Sequence, residues 1–446
     1  MAKRVVSSLD NINYLPDGIL AHILSFLPTK DVVRTSFLSR RWRYLYTLVS
    51  NLDLELEPDY DDDYEDTQLD QLMNFVDRVL LFRKRPSILR FRLKCARYDN
   101  QFNPSRIDGW IRALMWHRIQ EFELDICESD FHLGVLPASL FACETLVVLK
   151  LYLDWCYDSL KVPSKVFLPR LKVLHLCAGF SFDGSDQNLF SSCPVLEEMF
   201  LDKCALMHPC FEFNIFIPTL KRLTIKSMTI TKRTGATQVV INAPSLVYFS
   251  YSDSEFQSLV FVGVQSLREA VVDFYFVCGR YNHSELYVAA AVDLLTRIKR
   301  IQSLQISTRT LWSLQDHKVP IPLWLNMTHL KIFETYWRAN FTCLQYFLAR
   351  SGCLETLIIE ELPEEWVVHL WLVDITCLSF RLKTIEILSF KGEENCMKMV
   401  EYFLSTAKVL EKMTIHIKEG EAKQLQITKE LLMLPRVSLR SRIIIV

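Results

Sequence analysis

His175 and Cys177 stand two residues apart in the run LKVLHLC, and a spacing of two on a strand puts both side chains on one face. An imidazole beside a thiol could seed a metal site or an activated nucleophile. Leu171, Leu174 and Leu176 interleave with the pair, and the plainer reading is a polar residue and a small hydrophobe on one repeat strand. The run EPDYDDDYED at 57–66 offers enough carboxylates for calcium, but it lacks the glycine at position six and the glutamate at position twelve of a helix–loop–helix calcium site. It reads as a solvated loop. The chain carries no Gly-rich phosphate loop, no His-Glu-x-x-His and no Gly-x-Ser-x-Gly. Its 13 cysteines are odd in number and include no Cys-x-x-Cys. They argue against a disulfide framework and a zinc ribbon, and for buried, reduced thiols. No catalytic, metal or cofactor residue is assigned.

The totals bound the rest. Half of the 446 residues are hydrophobic, ample for a large core spread over two to four domains. A formal net charge of −1 gives no global field toward nucleic acid or acidic membrane, so neither is expected as a partner. The opening MAKRVVSSLDNINYLPDG has no apolar run of signal-peptide length, and no stretch approaches the roughly 18 apolar residues of a membrane helix. The expectation is an intracellular protein, cytoplasmic or nuclear or both, with the sequons at Asn282, Asn326 and Asn340 unused.

Residues 14–50 read as helices. Pro16 suits a first helical position, and Leu20, Ile23, Leu24 and Leu27 recur at helical spacing. Pro28 ends that helix, Thr29 can cap a second carrying Val32 and Val33, and Ser39 can cap a third with Leu38, Trp42, Leu45 and Val49 as its stripe. Fewer than about 40 residues cannot hide all these side chains in one core. From pattern alone the module is either a cap on the rest of the chain or a docking surface for another molecule.

The segment LPDGILAHILSFLPTKDVVRTSFLSRRWRYLY resembles the F-box of plant proteins through Leu15-Pro16-Asp17, the run Ile23 to Pro28, and Leu38-Ser39-Arg40-Arg41-Trp42-Arg43. That resemblance implies docking to a SKP-type adaptor and, through it, to a cullin–RING ubiquitin ligase. It implies that Leu15, Pro16, Ile19, Leu20, Ile23, Leu24 and Leu27 supply the adaptor contact or its support, with Leu38 and Trp42 holding the small core.

After the acidic run, LDQLMNFVDRVLLF at 69–82 predicts a connecting helix. From residue 88 one pattern dominates, apolar-x-x-apolar-x-apolar, as in Ile88-Phe91-Leu93, Ile119-Phe122-Leu124, Leu146-Leu149-Leu151, Leu171-Leu174-Leu176 and Leu196-Met199-Leu201. It continues through Leu220, Leu246, Ile301, Leu354, Leu382 and Leu410, and the central steps are 25, 25, 24 and 26 residues. Such periods belong to leucine-rich repeats, in which each unit's open edges force its neighbours to stack. Pro169, Pro194, Pro218 and Pro244 stand in register before four of the strands, where proline breaks the preceding helix or turn and spares the ladder a missing donor. Longer steps around 267–330, with a helix in SELYVAAAVDLLTRIKR, predict a local distortion.

A second set resembles the FBD domain that accompanies F-box and leucine-rich repeats in plant proteins. It comprises Trp366, Cys377-Leu378, Leu382 to Glu386, Lys391-Gly392, Val400 to Leu404, Ala407, Leu410, Met413 to Ile415 and the tail LLMLPRVSLRSRIIIV. VVHLWLVDI stands where that family places prolines after the tryptophan.

The expected architecture is α/β: a three-helix F-box at 8–50, an acidic loop and connecting helix at 51–83, a curved leucine-rich-repeat solenoid at 84–365, and an FBD region and C-terminal cap at 366–446. The resemblances imply a non-catalytic substrate-recognition subunit of an SCF-type ligase, its repeats binding a protein target. Between the buried residues of each repeat, Lys150, Tyr152, His175, Phe200, Asp202 and Lys226 face outward and are the candidate target contacts. Two rivals are a repeat protein sensing a small molecule, for which the sequence shows no convergent polar cluster, and a scaffold outside any ligase.

Overall fold

Leu20 and Leu24, one helical turn apart, turn inward with Val32, Trp42, Leu45 and Val49 to make a small apolar core, on which Leu15 and Tyr46 pack. In the computed structural model this N-terminal module is built from α1 (Asp17–Leu24), α2 (Thr29–Arg34) and 3-10 turns at Ile12–Tyr14, Thr35–Phe37 and Trp42–Leu48. Three expectations change. Pro16 precedes α1 and lends its carbonyl to the Ile19 and Leu20 amides, rather than occupying the first helical position. Thr29 opens α2 instead of capping it. The third helix is a 3-10 segment, with Ser39 Oγ only 3.5 Å from the Trp42 amide. Leu38 is 69% exposed, so Trp42 holds the core without it.

The structure describes residues 12–56, 65–81, 88–96, 104–127, 136–154, 160–161, 163, 165–177, 180–182, 187–206, 212–230, 238–253, 258–274, 284–314, 321–333, 341–361, 375–418 and 420–446. Most of the acidic run, Trp366 and most of VVHLWLVDI lie outside these residues, as do Asn282 and Asn340. The chain divides into two compact units, one through Ala205 and one from Leu206.

The first unit contains the N-terminal module and a parallel sheet. Its strands are β1 (Asn51–Leu56), β2 (Arg90–Ala96), β3 (Glu121–Cys127), β4 (Val148–Asp154), β6 (Val173–Cys177) and β8 (Glu198–Asp202), paired in that order. The short β5 (Leu160–Lys161) and β7 (Phe180–Phe182) pair beside them. The connections carry α3 (Glu65–Leu81), α4 (Pro104–Trp116) and α5 (Gln187–Ser191). Period-2 alternation produces one dry face, on which Leu149, Leu151, Leu174, Leu176, Met199 and Leu201 are fully buried. Arg106 and the Trp110 indole both reach Asp77, tying α4 to α3. β1 replaces the start of the expected acidic linker; it is the first strand of the sheet.

The prolines before the strands have a more specific role than breaking helices. The Leu171 amide bonds the Leu168 carbonyl, Leu196 bonds Cys193, Leu220 bonds Ile217, and Leu246 bonds Ala243, each about one turn apart at 3.0–3.2 Å. Each proline is therefore the second residue of a β-turn, where its fixed φ is favourable and no amide is needed. Ile298–Ile301 and Ser351–Leu354 close the same turn without proline.

The second unit begins near the two-residue β9 (Ala205–Leu206) and has two parallel sheets. The smaller joins β10 (Glu212–Phe216), β13 (Gln238–Asn242) and β15 (Ser258–Val262). The larger runs β11 (Arg222–Lys226), β14 (Tyr248–Asp253), β16 (Glu269–Phe274), β17 (Ser303–Ser307), β18 (His329–Phe333), β19 (Thr356–Ile359), β20 (Thr384–Phe390), β21 (Lys412–Ile417) and β22 (Arg442–Ile445), with β12 (Thr229–Ile230) set apart. α6 (Ser284–Arg297), α7 (Thr308–Ser313), α8 (Phe341–Ala349), α9 (Thr376–Phe380), α10 (Glu394–Thr406) and α11 (Glu421–Met433) fill the connections. The expected distortion at 267–330 is not in the sheet. β16, β17 and β18 pair in unbroken register, and the longer steps are taken up in the connections, which carry α6 and α7. The register shift lies later, between Ile387 and Phe390. Met413 and Ile415 pair with Ile443 and Ile445 at the last edge.

Candidate functional site: an exposed helical face and a polar strand face

On the N-terminal module the apolar residues separate into two groups. Leu20 and Leu24 are inside, at 0% and 2% exposure; Ile19, Ile23 and Leu27 are exposed at 49%, 39% and 43%, and Phe26 at 76%. Pro16 is exposed and Leu15 half-buried. Of the expected contact set, Leu20 and Leu24 therefore stand as support, and Ile19, Ile23 and Leu27 as the accessible face of α1 and its end. Arg41 fastens this arrangement, its guanidinium donating to Asp17 Oδ1 at 2.7 Å and to the Leu15 carbonyl. Arg34 is spent on Asp31 at 3.0 Å. Of the basic residues around the module, at least these two are already engaged.

The outward strand face of the first unit begins as a ladder of opposite charges. Register places Asp53, Arg92, Glu123, Lys150, His175 and Phe200 side by side across six strands. Arg92 reaches Asp53 at 3.1 Å and Glu123 at 3.3 Å, Lys94 reaches Glu55 at 2.9 Å, and Arg90 reaches Glu121 at 3.4 Å. The Lys94 bond holds the Glu55 carboxyl below its usual range. Half-exposed pairs of this kind contribute about 0.2–1 kcal/mol each, so the ladder sets register and charge pattern more than stability.

Where the ladder ends, rings take over. Tyr152 Oη lies 2.7 Å from His175 Nδ1, and His175 Nε2 lies 2.8 Å from Glu198 Oε1. Phe200 tilts against the imidazole at 5.3 Å. Burial lowers the His175 pKa, outweighing the upward pull of the Glu198 bond, and burial with the nearby carboxylates pushes Tyr152 up to about 12. A neutral His175 then fits one proton arrangement: Nε2–H donates to the Glu198 carboxylate, and Nδ1 accepts from the Tyr152 hydroxyl. Cys177 lies on the same face, its Sγ 3.7 Å from Asp202 Oδ2. His175 and Cys177 share a face as the spacing predicts, and each is turned to a different neighbour on the adjoining strands.

A groove of about 240 Å³ opens beside these rings, lined by Arg90, Glu121, Glu123, Val148, Lys150, Val173 and Glu198, with Phe91 and Phe122 below. The structure thus brings together Lys150, Tyr152, His175 and Phe200, with Asp202 one strand from Cys177. Lys226 lies on β11 of the other unit. Sequence reasoning misses Glu198 and Glu123 as site residues because each lies one β-pairing from its partner, across sequence separations of 23 and 31 residues. The buried thiols Cys193 and Cys377 are pushed up to about 12 by burial, which leaves them protonated and weakly nucleophilic. Among the described residues no helix is long and apolar enough to cross a membrane.

Three family models match the chain. The F-box domain model covers residues 12–45, the model described as "FBD-associated F-box protein At5g56370, LRR repeats" covers 107–246, and the FBD model covers 374–415. Among similar proteins, the F-box/LRR-repeat protein At4g14096 of Arabidopsis thaliana is 34% identical over 91% of this chain and 88% of its own length. The F-box/LRR-repeat protein At3g59200 of the same plant is 31% identical over 97% and 87%. The F-box/FBD/LRR-repeat protein At2g26030, also from that plant, is 29% identical over 92% and 93%.

Proposed function

The chain belongs to the family of F-box/LRR-repeat proteins, and we propose that it is the substrate-recognition subunit of an SCF-type ubiquitin ligase. In this reading the N-terminal module docks on a SKP-type adaptor and the strand faces hold a protein target. The observation that carries it is the separation of α1 and its end into a buried side, Leu20 and Leu24, and an apolar side open to solvent, Ile19, Ile23 and, just past the helix, Leu27. A folded module that keeps such a face exposed gains roughly 25 cal/mol per Å² when a partner covers it.

The subunit contributes no chemistry of its own. Its role is proximity: it holds a target lysine near the activated thioester carried by the RING partner's conjugating enzyme. The contact set is Leu15, Pro16, Ile19, Ile23 and Leu27, supported from beneath by Leu20 and Leu24. The target set is Lys150, Tyr152, His175, Phe200, Asp202 and Lys226. The protein works in the cytoplasm or nucleus, with no cofactor. At about 240 Å³ the strand-face groove is smaller than the usual small-molecule pocket of roughly 300–1,000 Å³, which favours a protein target over a sensed ligand.

The test is reconstitution. Full-length chain, a purified SKP-type adaptor and a cullin–RING pair are mixed and separated by gel filtration. Co-elution of all components, lost with Ile23→Asp, supports the reading; a chain that elutes alone while the others assemble defeats it.

A further inference from the structure

The strand face of the first unit begins as a charged ladder, yet most of that charge is spent internally. Arg90, Arg92 and Lys94 each have a carboxylate within 4 Å, and so Glu121, Glu123, Asp53 and Glu55 are matched. Two groups lining the groove differ. Glu198 is bonded to His175, which is neutral in its buried setting, so no cation balances the carboxylate. Lys150 lines the opposite side and forms no ion pair among the described residues. Between them lie Val148 and Val173, in register with each other and with Glu198.

Building on the ligase reading, we propose that this groove binds an extended segment of the target carrying one acidic and one basic side chain. The acidic group meets Lys150. The basic group meets Glu198, with its aliphatic stem lying over Val148 and Val173. Lys150 and Glu198 are two strands apart and two residues out of level. At about 4.8 Å between strands and 3.3 Å per residue, that diagonal is roughly 12 Å. An extended chain covers it in three to four residues, and four places both side chains on the same side of the segment. Charge complementarity of this order selects among partners more than it adds raw affinity.

The probes are fluorescently labelled twelve-residue peptides in a Ser/Thr/Val background, with Glu and Arg four residues apart in either order. Control peptides carry Gln in place of Glu, of Arg, or of both. They are titrated by anisotropy into the full chain held on its adaptor. One order of the two-charge peptide should bind about tenfold tighter than any control. Glu198→Gln, which can still accept the His175 bond, should erase the preference for Arg. Lys150→Met should erase the preference for Glu. The double exchange Lys150→Glu with Glu198→Lys should favour the opposite order. Two-charge peptides that bind no better than the neutral control, or a ranking unchanged by these variants, overturn the inference. Adaptor capture is read on the same samples: peptides failing while the adaptor binds removes only the groove assignment, and the adaptor failing while the peptides bind removes the ligase reading.

Discussion

The hydroxyl of Thr29 accepts the backbone N–H of Asp53 at 2.7 Å, joining the first residue of α2 to the open edge of β1. Thr29 is almost fully buried there. β1 pairs with β2 on its other side, so the N-terminal module covers an edge that would otherwise present unpaired backbone groups. The N-terminal module and the sheet are therefore joined at this edge within the first unit. Thr29→Val keeps the shape and removes the acceptor, and leaving that amide unpaired costs about 1–2 kcal/mol. The Asp53 amide should then exchange hydrogen roughly tenfold faster or more, and Thr29→Ser should restore protection. Unchanged exchange would show that the bond does not hold the edge.

Leu20 and Ile23 stand one turn apart and should answer differently. Leu20→Ala removes a fully buried side chain from the small core and should destabilise the module by about 2–5 kcal/mol, read as early loss of helical signal on heating. Ile23→Ala is expected to shift the melt by well under 1 kcal/mol, because a partly exposed methyl cluster leaves no cavity. Equal destabilisation by the two would contradict the two-sided reading of α1.

His175 provides a dependence on pH. Its folded pKa is lowered from the ordinary 6.5, chiefly by burial, so the unfolded chain takes up a proton at higher pH than the folded one does. Stability is complete above the unfolded value of about 6.5 and is lost as pH falls from there through the lowered folded value. The stability of wild type relative to His175→Gln should be flat above about pH 7 and decline below about 6.5. A difference that stays constant would mean that the fold does not lower the imidazole pKa, and one that grows in acid would mean that the fold raises it.

Gly392 adopts a φ of +73°, and a Cβ there would collide with Ile427 of α11. Gly392→Ala should cost about 1–3 kcal/mol through the left-handed backbone alone. Ile427→Ala in the same chain should relieve the collision but not the backbone strain. Thermal melts of the single and double variants separate the two contributions. A neutral Gly392→Ala would show that the loop shifts freely.

Much of this fold is legible in the residues alone. The repeat leucines mark the strands and their dry face because period two is a local property: Leu174 and Leu176 need no distant partner to be placed inward. The helical face of α1 is legible for the same reason. Which of its residues turn in is not, because Leu20, Ile23, Leu24 and Leu27 all fit one helical stripe, and only packing on Trp42 and Leu45 separates Leu20 from Ile23. β1 escapes notice because its alternation, Leu52-Asp53-Leu54-Glu55-Leu56, runs into the acidic stretch and reads with it. The β10–β13–β15 sheet escapes because its short apolar runs fall between the repeat markers. The Tyr152–His175–Glu198 chain is out of reach, since each link depends on strand register across a long connection.

The account rests on the exposed side of α1 being a docking face, and calorimetric titration of a purified SKP-type adaptor into the full-length chain tests it most directly. The account predicts one adaptor per chain with a Kd near or below about 1 μM, and an affinity at least roughly thirtyfold weaker for Ile23→Asp, with circular dichroism showing the variant folded. A wild-type chain that takes up no adaptor, or an Ile23→Asp chain that binds as well as wild type, would contradict it.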